Sequence, residues 1–418
     1  MAVSGSSRKV RLDRLVELAR MYRGLNRTQL SERLGRDPSK LVPESGNPKL
    51  DFVAGIADTL DWRLGDVAES IWEGPPEADP GGRSFAELDA AALAAHRAGD
   101  ARGMLAIADG MRRTATEPTE RATAANRESG AYDLLGRYTK SLEALRRGLA
   151  EPAILPSTRL MLEANLANAH YALWNLPEAR AIAGGLVQEL EERETRTRIE
   201  RVGRAFALYV RGNSLRRELP GASETRVAEL AARARRDLVE SETCYRGLAE
   251  EFGDRSYEAV AETCRAGILE CACALGLASP LGTLGEVLAK LEEVTDPDSF
   301  PVGDRLESFG WWAIVGCNIA LRHLDGRDLH RPMAICTNKA FEIAERLDNW
   351  SIRERAFTME RFRRERVTEV TGFEPDWLLD PEDVRLLAGT MGRFPSFRET
   401  GWRILESARI FGESEETR

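Results

Sequence analysis

The chain has 418 residues, 43% hydrophobic and 30% charged, with a net charge of −9. That length exceeds one ordinary core and implies two or more domains or a repeat array, while the composition excludes a disordered chain. The charge is uneven: residues 1–50 hold eleven Lys/Arg against five Asp/Glu, a balance of +6 that leaves −15 for the rest. A basic head on an acidic body favours a polyanion partner for the head and argues against nucleic acid lying along the body.

In chain order, residues 11–23 place Leu12, Leu15, Val16 and Ala19 on one face, an amphipathic first helix. Asn26 is a good N-cap for a second helix over 27–34, with Leu30 and Leu34 inward and Gly35 placed to end it. Asp37-Pro38 starts a third. Pro43 removes a backbone donor inside that helix and stops it after little more than a turn. Residues 47–72 give two more helices, with Leu50, Val53, Ile56, Ala57 and Leu60 as the buried stripe. GPPEADPGGR, 74–83, reads as a linker.

From Ser84 onward the pattern is helical, broken by Gly, Pro and Asp, with no convincing run of β-branched alternation. The fold class is all-α. FGWWAIVGCNIAL, 309–321, contains Asn318, is too short to span a bilayer, and reads as a buried helix. The aromatic cluster Phe309, Trp311 and Trp312 is therefore expected to be core. Residues 1–20 carry no hydrophobic run, so the expectation is a soluble, cytoplasmic chain with no membrane partner.

The long zone repeats itself. LLGRYTKSLEALRRGL (134–149) and ANLANAHYALWNLPEARAIAGGLV (164–187) share a turn leading into a helix with small residues on one face, and Tyr138 and Leu176 are 38 residues apart. Further helix pairs can be drawn at 84–113, 195–250, 254–295, 301–348 and 349–391, with the helices at 381–411 closing the array. A period in the high thirties built from paired helices resembles the tetratricopeptide repeat, which implies a right-handed superhelix with a concave inner surface. Such surfaces hold peptides or protein segments, and Asn and Arg side chains pair well with an extended ligand's amides. The candidates are Asn126, the pair Asn165/Asn168 with Tyr171, the pair Arg204/Arg211, and the pair Asn318/Arg322. Each has a structural alternative, an interhelical hydrogen bond or a solvated face.

The head resembles the helix-turn-helix domain of the Cro/C1-type (XRE) repressors. Asn47-Pro48, Leu50, Ile56-Ala57, Leu60 and Leu64 match its back half, and Gly24-Leu25, Leu30-Ser31 and Leu34-Gly35 its second helix. The likeness covers 1–73, leaving 84–418 to the repeats. It implies that Asn26 and Arg27 contact phosphate, that Ser39 and Lys40 face bases with Arg36 just before them, and that Arg23 and Lys49 also meet the backbone. The third helix is shorter than the family's, which reduces its base contacts. The layout resembles the Rgg/PlcR/PrgX-type regulators. This implies a homodimer presenting two heads to DNA, with a peptide or protein segment in the repeat groove. The competing reading is a protein–protein adaptor whose head no longer reads DNA.

Catalysis finds no support in the sequence. There is no P-loop, no GxGxxG after a strand, no HExxH and no nucleophile elbow. The six cysteines, Cys244, Cys264, Cys271, Cys273, Cys317 and Cys336, form no CxxC and read as structural thiols, so neither metal nor cofactor is expected.

Overall fold

A computed structural model of the chain describes residues 5–62, 64–72, 82–192, 197–372 and 377–410. The chain divides into two compact units, Met1–Gly82 and Arg83–Arg418. Of the linker expected at 74–83, all but Gly82 and Arg83 lies outside the described residues.

The head comprises α1 (Gly5–Arg23), α2 (Arg27–Arg33), a 3-10 turn at Pro38–Lys40, α3 (Leu50–Leu60) and α4 (Leu64–Trp72). Leu12, Leu15, Val16 and Ala19 of α1 meet Leu30, Leu41, Phe52, Val53, Ile56, Leu60, Val67 and Ile71 in one core. Leu50, expected in the buried stripe, is not in it at 71% exposure, and Leu64 of the family pattern is 43% exposed. Each is the first residue of its helix, ahead of the point where the apolar stripe turns inward, and Phe52 is the core residue in α3's first turn. The third helical segment is a single 3-10 turn capped by Asp37, and Pro43 opens a tight turn in which the Gly46 amide donates to the Pro43 carbonyl at 2.9 Å. The proline that cannot donate inside a helix thus begins the next reversal.

Among its described residues the second unit is all-α apart from one short ribbon. Its helices are α5 (Phe85–Arg97), α6 (Ala101–Thr114), α7 (Pro118–Leu134), α8 (Tyr138–Ala150), α9 (Pro156–Ala172), α10 (Leu176–Glu191), α11 (Arg198–Arg217) and α12 (Glu224–Phe252). They continue as α13 (Arg255–Ala274), α14 (Pro280–Leu291), α15 (Asp304–His323), α16 (Gly326–Leu347) and α17 (Trp350–Thr371). Tyr138 and Leu176 each open a helix, in keeping with the 38-residue spacing between them.

Every helix packs on its successor, and the odd-numbered helices also pack on one another in order from α5 to α17. The result is a superhelix of tetratricopeptide-like pairs in which α5, α7, α9, α11, α13, α15 and α17 form one continuous layer. Small residues permit the close crossings. A Cβ on Gly212 or Gly267 would lie 2.9 or 2.8 Å from the Leu238 side chain, so α11 and α13 both close on α12 at that leucine.

After α17 come β1 (Trp377–Leu379), α18 (Pro381–Arg393), a 3-10 turn at Pro395–Phe397, α19 (Arg398–Glu406) and β2 (Ala408–Ile410). No strand was expected here, yet β1 pairs in parallel with β2, Trp377 opposite Ala408 and Leu379 opposite Ile410. Three residues are too few to show a period of two, so nothing in the sequence marks them. Trp350, Phe357, Trp377, Leu387, Phe394 and Phe397 share a core with Tyr138 and Ala172 from far earlier in the chain. The Tyr138 hydroxyl lies 2.7 Å from the Ser351 hydroxyl, and Arg393 Nε donates to the Leu135 carbonyl at 3.0 Å. The end of the array therefore seats on its second and third pairs. Gly136 makes the seat: its φ is +65°, and a Cβ there would stand 2.7 Å from the Trp350 Cβ.

Candidate functional site

Five cations of the head, Lys9, Arg20, Arg23, Arg33 and Arg36, pair with its own carboxylates. Arg23 donates to the Thr59 carbonyl at 2.7 Å and to Asp61 at 2.9 Å, closing the end of α3. Arg36 reaches Asp51 at 3.4 Å and lies 5.0 Å from the centre of the Phe52 ring. Lys9 pairs with Glu44 at 2.6 Å and Arg33 with Asp58 at 3.2 Å.

Asn26 caps α2 by accepting from the Gln29 amide at 2.9 Å, and the Gln29 side chain accepts from the Asn26 amide in return. The Ser39 hydroxyl donates to Asp37 at 2.6 Å, and with the Ser39 amide it holds that carboxyl below the usual carboxylate range. Three of the seven sequence-predicted contacts remain on the surface without an acid: Arg27, Lys40 and Lys49 have no ion pair among the described residues. Arg27 Nε donates to the Pro38 carbonyl at 3.2 Å, which ties the start of α2 to the turn carrying Lys40.

In the second unit the expected groove residues divide into structural pairs and a recess. Asn165 donates to Asn126 at 2.8 Å, an interhelical bond between α9 and α7, while Asn168 is half-buried. Arg204 pairs with Glu240, and Arg211 grips Asp237 with two bonds of 2.8 and 2.9 Å, both joining α11 to α12. Tyr171 is buried, and Asn318 and, one turn beyond it, Arg322 are half-buried. Of the aromatic cluster, Phe309 and Trp312 are core at 3% exposure, but Trp311 is not. It lines a small recess, partly open to solvent, together with Trp174, Arg216, Arg217, Glu270, Asn318 and Arg355.

That recess contains three arginines in different electrostatic states. Arg216 is buried against Glu270, which also accepts from Asn318 at 3.1 Å, and Arg216 Nε donates to Asn213 at 2.9 Å. Burial alone would lower its pKa, but the Glu270 carboxylate outweighs that and raises it. Arg217 lies 3.7 Å from the centre of the Tyr171 ring and 4.7 Å from that of Trp174, and donates to the Tyr171 carbonyl at 2.9 Å.

Arg355 is 8% exposed and has no carboxylate at ion-pairing distance among the described residues. Its one hydrogen-bond contact is the Met359 sulfur at 3.9 Å, and its guanidinium lies 4.7 Å from the Trp174 ring centre. Burial lowers its pKa, Glu354 offsets this in part, and Arg217 and Arg216 add to it.

Trp174 itself has a φ of +66°, in a turn where the two preceding pairs have Gly99 and Gly136. A bulky side chain in the left-handed region is strained by about 1–2 kcal/mol. On the same odd-helix layer, burial and the nearby Glu307 raise the Asp133 pKa to about 7, and Glu307, itself raised by burial, accepts from the Trp311 indole at 3.0 Å.

Sequence reasoning reached Tyr171 and Asn318 but missed Trp174, Arg216, Arg217, Glu270, Trp311 and Arg355. Two signals were available: the Arg216-Arg217 doublet ahead of Pro220, and Glu270 as the lone acid in the apolar run ILECACA. Nothing local marks Arg355, which sits among charged neighbours in RERAFTMERFRRER.

No family model matches the chain, and no curated protein matches it significantly. Among solved structures, Bacillus thuringiensis PlcR in complex with the peptide PapR7 and DNA aligns over 71% of this chain and 92% of its own, at 13% identity and a TM-score of 0.37. A likeness of that degree carries no functional weight. No helix among the described residues is long and apolar enough to cross a membrane.

Proposed function

We propose that the chain is a DNA-binding transcriptional regulator whose helical-repeat unit takes up a peptide or protein segment, acting as a dimer with two heads. The observation that carries the DNA half is the set Arg27, Lys40 and Lys49, exposed cations in the helix-turn-helix head with no carboxylate partner while their neighbours are paired. Unpaired surface cations are what a phosphate backbone neutralises with release of counterions. A one-turn third segment whose Ser39 is spent on Asp37 presents few side chains to base edges, so contact here is mostly with phosphate. The ligand half rests on the continuous odd-helix layer and the recess within it.

That same one-turn segment favours a second reading, an adaptor whose head binds a protein instead of DNA. Fluorescence anisotropy with random duplex DNA at low salt separates them. The regulator predicts binding that an Arg27→Ala/Lys40→Ala double variant weakens by roughly tenfold or more, equally for all sequences. Folded protein that shows no binding would leave the adaptor.

A further inference from the structure

We infer that the recess between α11, α13, α15 and α17 is a binding site for an oxyanion, the carboxylate or phosphate end of a ligand with an apolar body. This rests on the reading of the repeat unit as the ligand-binding half, and not on the head's binding DNA.

The charge balance carries the argument. Glu270 is held by Arg216 and Asn318 through its Oε2, and Arg217 and Arg355 face the same space without an ion-pair partner among the described residues. A guanidinium more than nine-tenths buried with no carboxylate at ion-pairing distance is unfavourable, and a thioether at 3.9 Å is a weak acceptor that does not repair it. A fork of planar donors is complementary to the two oxygens of a carboxylate or phosphate.

The second observation is independent of charge. Trp174 is held at positive φ where earlier turns have glycine, and that strain places an indole on the recess wall against both unpaired arginines. Strain of this kind persists where surroundings impose it and concentrates at ligand sites. With Trp311 opposite Arg217 at 5.9 Å, the walls suit an apolar or aromatic group behind the anion. A purely structural Arg355 would need a carboxylate at ion-pairing distance or a set of carbonyls to hold it, and the described residues give it neither.

The test uses the full-length protein in calorimetric titration and thermal unfolding at constant ionic strength. Phosphate, sulfate, benzoate, and trileucine with a free or amidated C-terminus are each compared with chloride. At least one oxyanion should bind saturably and raise the unfolding temperature. Arg355→Met should weaken that binding by roughly tenfold or more, as losing a charge-assisted hydrogen bond does. Without ligand it should unfold at the wild-type temperature or above, because it removes an unpaired buried charge.

Trp174→Gly, which restores the residue of the earlier turns, should keep the fold and lose affinity. Preference for phosphate would assign a phosphoryl group; preference for benzoate, a small carboxylate; and for free-acid over amidated trileucine, a peptide C-terminus. The inference is overturned if no oxyanion exceeds chloride, if Arg355→Met binds as wild type does, or if ligand-free Arg355→Met unfolds well below wild type. Oxyanion binding without DNA binding would leave this site standing and remove the DNA half of the regulator reading, and the reverse result would do the opposite.

Discussion

The two units handle charge in opposite ways. In the head, ion pairs such as Arg33 with Asp58 and Lys9 with Glu44 lie at the surface, where each contributes at most about 1 kcal/mol and is screened by salt. Cations there cost little to leave unpaired, and Arg27, Lys40 and Lys49 are left so. In the repeat unit, Arg216, Glu270, Arg353, Glu354, Arg355 and Glu360 are all nine-tenths buried or more. Charge in that setting is stabilising only where a partner is built in, and its absence at Arg355 is informative in a way that its absence at Lys40 is not.

The largest effect should come from breaking a pair in the buried set. Glu270→Gln leaves Arg216 without its carboxylate and should destabilise the fold by about 3–5 kcal/mol, read from urea unfolding followed by tryptophan fluorescence. A change below about 1 kcal/mol would mean that water reaches the pair. Next is the closure of the array: Gly136→Ala places a Cβ at positive φ and against Trp350, and should cost about 2–3 kcal/mol. If that variant were neutral, the seat of α17 on the second helix pair would be wrong.

A smaller effect depends on pH. The Asp133 pKa lies at about 7 in the folded chain against the carboxyl's ordinary 3.8, so the folded state holds the proton more tightly between those values. Stability should therefore fall as pH rises from about 4 to about 7, and the penalty is fully present above that window. Glu307, on α15, is raised by burial and acts in the same direction, whereas the Tyr138 hydroxyl, also raised, stays protonated throughout. Asp133→Asn should flatten this dependence and stabilise the protein at pH 8 by about 1–3 kcal/mol. A profile unchanged from the wild type would assign the pH dependence elsewhere. The smallest effect is in the head, where Asn26→Ala removes a capping box and should cost about 1 kcal/mol.

Local chemistry was legible in the sequence, and long-range burial was not. Asn26 and Asp37-Pro38 announce their caps, Pro43 the arrested third segment, and Tyr138 with Leu176 the repeat, because each acts on its own few residues. α17 reads WSIRERAFTMERFRR, the surface of an ordinary solvated helix, yet Ile352 to Glu360 are buried without interruption. That burial arises because residues over 200 positions earlier close on it. Arg355 looked like any exposed arginine for the same reason. Arg204 and Arg211 looked like groove residues but pair with acids on α12, a partner that spacing along α11 alone does not reveal. Trp174 could have been noticed by laying the repeats in register, which sets a tryptophan beside Gly99 and Gly136.

The most direct test of this division of labour is the salt dependence of DNA binding by the full-length protein. Log K should fall linearly with log salt. Arg27→Ala/Lys40→Ala/Lys49→Ala should lower the slope by about 0.9 per residue that meets a phosphate, while Arg355→Met leaves it unchanged. A slope that the head variant does not alter, or that Arg355→Met does, would contradict this division of labour.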